Sequence, residues 1–233
     1  MYSKKLSNPK EFISKNIKSN ASIMSGGFGL CGIPENSIDI LSQTSIKNLT
    51  IISNNIGNAG KGLVKLLKKN MIKKAICSYV GGNPDLEEKI LKNEIEIQLT
   101  PQGSFIEKIR AAGAGIPAFF TPTGADTLIE KGKETRVFNG KKNILETALT
   151  ADFAIIKANY GDEFGNLIFE GASRNFSPLM AMAAKVTIVE VEKLLPIGSF
   201  DPKDIHLPGI FVQHIYEGNN YENSIEHLIL DKK

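Results

Sequence analysis

Residues Ser25 to Glu35 read SGGFGLCGIPE, and the reading of the fold starts from this stretch. Four glycines, Gly26, Gly27, Gly29 and Gly32, follow an apolar run, Ile23-Met24, and precede a helix-like segment from Glu35 to Leu41. Strand, glycine loop and helix in that order bring backbone N–H groups close to an anionic ligand at a helix N-terminus. The same glycines also suit a purely conformational role, a tight turn between strand and helix. Pro34 fits the first helical turn, where its missing N–H costs nothing. Phe28, Leu30 and Cys31 make the loop apolar as well as tight.

Gly27, Gly29 and Gly32 match G-x-G-x-x-G. The dinucleotide fingerprint also needs a carboxylate about 20 residues on, where the second strand ends and the ribose is held. Here that strand, Leu49 to Ser53, ends in Asn54-Asn55. The spacing therefore argues against NAD or FAD.

Outward from the loop the rhythm repeats. Asn8, Pro9 and Glu11 form N-cap, N1 and N3 of a first helix with Phe12, Ile13 and Ile17 on one face. Strands are predicted at Ser22–Met24, Leu49–Ser53, Lys74–Val80 and Glu94–Leu99. The helices between carry Ile38 and Leu41, then Leu63, Val64, Leu66 and Leu67, then a segment capped by Asn83. Ser104 and Glu107 read as a capping box for the next helix. Strand–turn–helix repeats predict an α/β fold, a mostly parallel sheet with helices on both faces. Ligands of such sheets bind outside the carboxyl ends of the strands, which singles out Gly26–Gly32, Asn54-Asn55, Gly81–Pro84 and Thr100–Gly103.

The middle differs. Ala111–Thr127 is rich in Gly, Pro and Thr, carries Phe119-Phe120, and reads as an ordered loop packed on the core. Arg136–Lys141 reads as a hairpin turning at Asn139-Gly140. Strands at Phe153–Ala158 and Val186–Val191 flank a small-residue helix, Pro178–Ala184.

Composition bounds the rest. The 233 residues are 42% hydrophobic with net charge +3 and no basic stripe, so neither nucleic acid nor membrane is an expected partner. Two cysteines, Cys31 and Cys77, make neither a disulfide framework nor a metal site. The N-terminal lysines precede no signal-type apolar region, and a cytoplasmic location is the expectation. His206, His214 and His227 all lie in the tail, and His214 alternates with apolar residues as a strand residue does.

In chain order stand GGFGLCGIPE, SNN, SYVGGN, LTPQGS, AAGAGIPAFFTPTG, FNGKKNILETALTADFAIIKA, ASRNFSPLMAMAA and EVEKLLPIGSFDPKDIHLPGIFV. This ordered set resembles the A (alpha) subunit of a family I coenzyme A transferase, from about Ile23 to Val212. Asp204–Ile210 leans toward members that use succinyl-CoA and a 3-oxoacid such as acetoacetate over acetate or butyrate transferases. The resemblance implies a single transferase domain over residues 1–233, with CoA thioester as substrate and no cofactor or metal. It implies a ping-pong reaction whose nucleophilic glutamate lies on a partner B subunit, in an α2β2 heterotetramer. It places Gly26, Gly27, Phe28, Gly29, Leu30, Cys31 and Gly32 at CoA, and Asn54, Asn55 and Gln102 at the acyl group. The Ser-Glu-Asn-Gly motif of the B subunit is absent, so no nucleophile is assigned, and Glu35 reads as a first-turn acid. Arg174 is read as an ion-pair residue or an anion partner. Gly57–Lys61 and Glu170 depart from the family pattern. Two readings compete: a non-catalytic subunit that binds a metabolite, and a sugar-phosphate isomerase on a related fold.

Overall fold

Adjacent residues of the central strands serve two different cores. Ile23, Ile51, Ile155 and Ile188 pack on one face, while Met24, Ile52, Ile156 and Val189 pack on the other. Strands buried on both faces are the mark of a parallel sheet covered on both sides. The computed structural model describes residues 2–58 and 60–222. Its main sheet contains β1 (Ser22–Ser25), β2 (Leu49–Ile52), β3 (Ile72–Cys77) and β4 (Glu96–Leu99) from the first half. A three-stranded antiparallel sheet, β5 (Ala118–Thr121), β6 (Thr135–Phe138) and β7 (Lys141–Thr147), comes next in the chain. The second half adds to the main sheet β8 (Ala151–Asp162), the short β9 (Leu167–Ile168), β10 (Ala184–Leu195) and β11 (His214–Glu217).

The order is β11-β10-β8-β1-β2-β3-β4 with every neighbour parallel, and β9 pairs antiparallel on β8. Four helices cover one face: α1 (Pro9–Asn16), α2 (Glu35–Ser42), α3 (Val64–Lys68) and α4 (Pro84–Leu91), through Ile13, Ile38, Leu66 and Leu86. α5 (Gln102–Gly113) and α6 (Ser177–Ala183) cover the other through Phe105, Ile109 and Met180. The expected α/β sheet with helices on both faces is the observed architecture. Burial of each such side chain is worth about 1.5–3 kcal/mol, against about 1 kcal/mol for a cap, so the two cores outweigh the local signals. The caps nevertheless form as read. Asn8 Oδ1 accepts the Glu11 amide at 3.0 Å, and Asn83 Oδ1 accepts the Leu86 amide at 3.1 Å.

Several boundaries differ from the sequence reading. α5 begins at Gln102 with Pro101 at its N-cap, so Ser104 lies inside the helix, its buried hydroxyl without a hydrogen-bond partner among the described residues. Glu107 pairs instead with Arg110 at 2.6 Å, and the capping box does not form. Pro34 sits at the N-cap of α2 rather than inside its first turn. Ala111–Thr127 is not one loop: α5 runs to Gly113 and Phe119-Phe120 lie in β5, where the strand pairs with β7. The Asn139-Gly140 turn is as read, both residues having positive φ as a type I′ hairpin requires. Glu146 of β7 is buried and accepts from Lys108 of α5 at 2.8 Å and from Lys133 at 2.5 Å, fastening the small sheet to the main body.

β1 lies between β2 and β8, and the strand order turns back there. In open parallel sheets the crevice outside the carboxyl ends at such a reversal is the usual ligand site. β8 continues past Ile155, the partner of Ser25, to Asp162, which builds one wall above the end of β1.

Candidate functional site

The glycine loop leaves β1 into this crevice. Phe28 and Cys31 exchange backbone hydrogen bonds at 3.0 and 3.1 Å, closing a four-residue turn. At Gly32, with φ of +68°, an added Cβ would lie 2.3 Å from the Ser173 carbonyl oxygen and 2.5 Å from Asn175 Nδ2. Only glycine allows the loop to press on the Ser173–Asn175 segment this closely. Asn175 ties the two together: its Oδ1 accepts the Gly27 amide at 3.1 Å and the Phe176 amide at 2.7 Å. Phe28 meets Phe176 edge-on, with ring centroids 5.9 Å apart.

On its other side the loop meets a cluster of amides. Asn54, following β2, is buried, and its Oδ1 accepts the Gly29 amide at 3.1 Å. Its Nδ2 donates to Gln102 Oε1 at 2.9 Å and to Ser78 Oγ at 3.1 Å. Ser78 Oγ is also in close contact with Gln102 Oε1. Gln102 Nε2 is buried and has no hydrogen-bond partner among the described residues. Thus the carboxyl ends of β1 to β4 contribute Gly29, Asn54, Ser78 and Gln102 to one connected cluster. Around it Phe28, Tyr79 and Leu99, at the ends of the same strands, are 54%, 58% and 49% exposed.

One expected residue serves the site differently, and one turn is held from outside it. Asn55 Oδ1 accepts the Gly57 amide at 3.2 Å, the side-chain-to-backbone bond of a turn residue. The altered Gly57–Lys61 turn is braced by Asn83 Nδ2, which donates to the Ile56 and Gly57 carbonyls at 3.0 Å each.

The N-terminus of α2 holds an anion from this chain itself. Glu190 of β10 is fully buried, and its carboxylate accepts the Ser37 amide at 2.7 Å, the Asn36 amide at 3.1 Å and the Tyr216 hydroxyl at 3.0 Å. Burial pushes its carboxyl above the ordinary carboxylate range, while these donors pull the other way. Tyr216 is pushed well up by burial and by the nearby Glu190 charge. The amides of Asn36 and Ser37 are therefore taken by Glu190, and this contact favours the tight-turn reading of the glycines at the start of α2.

Glu35 is the first residue of α2 and accepts the Glu222 amide at 3.0 Å. Arg174 is exposed and forms no ion pair among the described residues, unlike Arg110 and Arg136, which pair with Glu107 and Glu134. His206 Nδ1 accepts the Phe169 amide at 3.0 Å; His214 opens β11 and packs on the Phe12 ring at 4.1 Å. His227 lies outside the described residues. Cys77 is fully buried and its thiol is pushed up to about 11 by desolvation. Among the described residues no group of His, Cys, Asp and Glu converges as metal ligands, and no helix is long and apolar enough to cross a membrane.

Sequence reasoning missed Ser78, Asn175 and Glu190. The apolar Tyr79-Val80 pair prolonged the predicted third strand and hid Ser78 inside it, whereas β3 ends at Cys77. Asn175 and Glu190 act on partners far away in sequence, and no local pattern announces them.

Known proteins bear on this geometry. The family model described as coenzyme A transferase matches residues 6–218. The chain is 55% identical over 210 residues to the A subunit of the succinyl-CoA:3-ketoacid coenzyme A transferase of Helicobacter pylori (strain J99), covering 90% of each. It is 44% identical to the mitochondrial succinyl-CoA:3-ketoacid coenzyme A transferase 2 of Homo sapiens, covering 97% of this chain but 47% of that protein, so it spans about half of the human relative. Its fold is similar to that of an acyl-CoA transferase from Escherichia coli O157:H7, with a TM-score of 0.84 at 21% identity, over 93% of this chain and 47% of that one. The chain belongs to the coenzyme A transferase family, as an A-type (alpha) subunit.

Proposed function

We propose that this subunit, joined to a B subunit in an α2β2 heterotetramer, moves CoA from succinyl-CoA to a 3-oxoacid such as acetoacetate. The observation that carries the reading is the continuous hydrogen-bonded cluster from the glycine loop through Gly29 and Asn54 to Gln102. Gly26–Gly32 line the CoA thioester, the Gln102 amide faces the reacting acyl group, and Asn54 stands beside it with its Nδ2 donating to Gln102 Oε1. Asn55 shapes the adjoining turn. The half-exposed Phe28, Tyr79 and Leu99 around the cluster fit a site closed by a second chain.

The chemistry is covalent catalysis by a carboxylate. The B subunit's glutamate attacks the thioester carbonyl, forming an acyl–glutamyl anhydride and releasing CoA thiolate. The thiolate attacks the glutamyl carbonyl, giving a glutamyl-CoA thioester and free succinate. The acceptor carboxylate attacks that thioester, and the thiolate then attacks the acceptor's carbonyl, releasing the new acyl-CoA and the free glutamate. Each attack develops an oxyanion, which neutral amide donors stabilise without adding a charge. No cofactor or metal takes part in this scheme. A cytoplasmic location belongs to the same reading, although the human relative is named as mitochondrial.

The test is a transferase assay with succinyl-CoA and acetoacetate, on the chain alone and then with the protein encoded beside it. Activity in the mixture alone is the expected result. Activity of the chain alone would overturn the half-enzyme reading, because a residue here would then be the nucleophile. Complex formation without turnover on these substrates would reject the proposed acceptor and direct the assay to acetate and butyrate.

A further inference from the structure

The amide of Gln102 is held in one orientation by a chain of hydrogen bonds that starts at a donor of known direction. A backbone N–H can only donate, so the Gly29 amide fixes the facing atom of Asn54 as Oδ1. Asn54 Nδ2 must then point the other way, where it donates to Gln102 Oε1 at 2.9 Å. A flipped Gln102 would set two NH2 groups against each other at that distance.

Ser78 supplies the second constraint. Its hydroxyl has one hydrogen and two acceptors in reach, Gln102 Oε1 and the Asn54 carbonyl oxygen. The Asn54 carbonyl already accepts the Ser78 and Tyr79 amides at 3.1 and 3.2 Å. The hydroxyl proton therefore goes to Gln102 Oε1, while the oxygen accepts from Asn54 Nδ2 at 3.1 Å. Both Ser78 and Asn54 thus present donors to Oε1, and Nε2 is left over, buried and unpartnered among the described residues. A buried donor without an acceptor costs about 1–3 kcal/mol, a cost that function explains when the acceptor appears during the reaction.

We infer that Ser78 is a positioning residue of the transferase site, locking the Gln102 amide so that Nε2 is the donor offered to the reacting acyl oxygen. The inference rests on the proposed function above. Because the chain of bonds begins in the glycine loop, the placement of the loop and the orientation of this donor are linked.

The experiment is a double-mutant cycle in the assembled two-subunit enzyme, with Ser78→Ala, Gln102→Ala and the double variant, and with Ser78→Thr as the conservative control. Removing an oxyanion donor outright costs about 100- to 1,000-fold in kcat, so loosening one through Ser78→Ala is expected to cost about 10- to 100-fold. KM for succinyl-CoA should stay within about twofold, and Ser78→Thr should recover most of the rate, since no interaction with bound substrate is removed. In the Gln102→Ala background, Ser78→Ala should have no further effect. An undiminished effect there, or wild-type kcat in Ser78→Ala, overturns the inference while the transferase reading stands. A second readout needs no activity. The side-chain NH2 signals of Gln102 in a nitrogen-15 spectrum, assigned by their loss in Gln102→Ala, should shift and broaden in Ser78→Ala. Unchanged signals overturn the inference. If the wild-type complex transfers no CoA from any donor, it is the proposed function that fails.

Discussion

The Glu190 carboxylate receives the Ser37 backbone amide at 2.7 Å, joining β10 to the start of α2 across 153 positions of sequence. The same carboxylate holds Tyr216 of β11. Three elements, α2, β10 and β11, meet on one fully buried charge. Because α2 follows directly on the glycine loop, this contact sets where the loop ends.

Replacing that carboxylate tests its hold on α2. Glu190→Ala leaves the Ser37 and Asn36 amides without their acceptor, at about 1–3 kcal/mol for each orphaned donor, while the Tyr216 hydroxyl keeps Ser37 Oγ at 2.7 Å. Relief of the buried charge offsets part of this, so a net loss of about 2–4 kcal/mol is expected. Glu190→Gln keeps an accepting oxygen and removes the buried charge, and should lose less than half as much. Urea unfolding measures both, and equal losses would mean that these hydrogen bonds do not anchor the helix.

Gly32 and Gly82 separate close packing from backbone strain. Both have positive φ, at +68° and +67°, but an added Cβ at Gly82 meets nothing within 4 Å. Each alanine variant carries about 1–2 kcal/mol of left-handed strain. Gly32→Ala also drives a methyl group into the Ser173 carbonyl and Asn175. It should lower Tm further than Gly82→Ala and weaken CoA-thioester binding in the assembled enzyme. Equal binding by the two variants would detach the loop from CoA recognition.

Asp152 makes stability depend on acid. Its carboxylate accepts the Ser22 amide at 3.0 Å, the Ser22 hydroxyl at 2.8 Å and Lys185 Nζ at 2.8 Å, and its pKa is lowered to about 2, first by Lys185 and then by Ser22. A depressed folded pKa adds stability above the unfolded value of 3.8, and that stability is lost as pH falls toward 2. The group is partly exposed, so the expected size is under about 1 kcal/mol. Stability measured by unfolding between pH 2 and 5 should rise less with pH in Asp152→Asn than in the wild type. Parallel curves would place the acid sensitivity elsewhere.

Where a signal was short-range, the sequence carried it. The Asn8 and Asn83 caps each bond three residues ahead, and the Asn139-Gly140 turn needs only its own two residues in the left-handed region. Alternate burial, Ile51 on one face and Ile52 on the other, follows from the two-residue period of a strand. The motif order was enough to identify the family, and strand–turn–helix repetition was enough to identify an α/β sheet. Local reading erred where two local options were close. Ser104 could cap or continue a helix, and Pro101 in front of it took the cap instead.

The sequence by itself determined these elements and the loops at their carboxyl ends, because hydrogen bonds within a few residues cost little chain entropy to form. Tertiary structure alone decided what those loops became. Pairing of β8 with β1 brought Asn175 to Gly27 across 148 positions. Pairing of β10 with β8 filled the α2 N-terminus with Glu190, and pairing of β3 with β4 set Ser78 beside Gln102. Those contacts depend on strand order and on burial that excludes water, and neither is encoded in any single window of the chain.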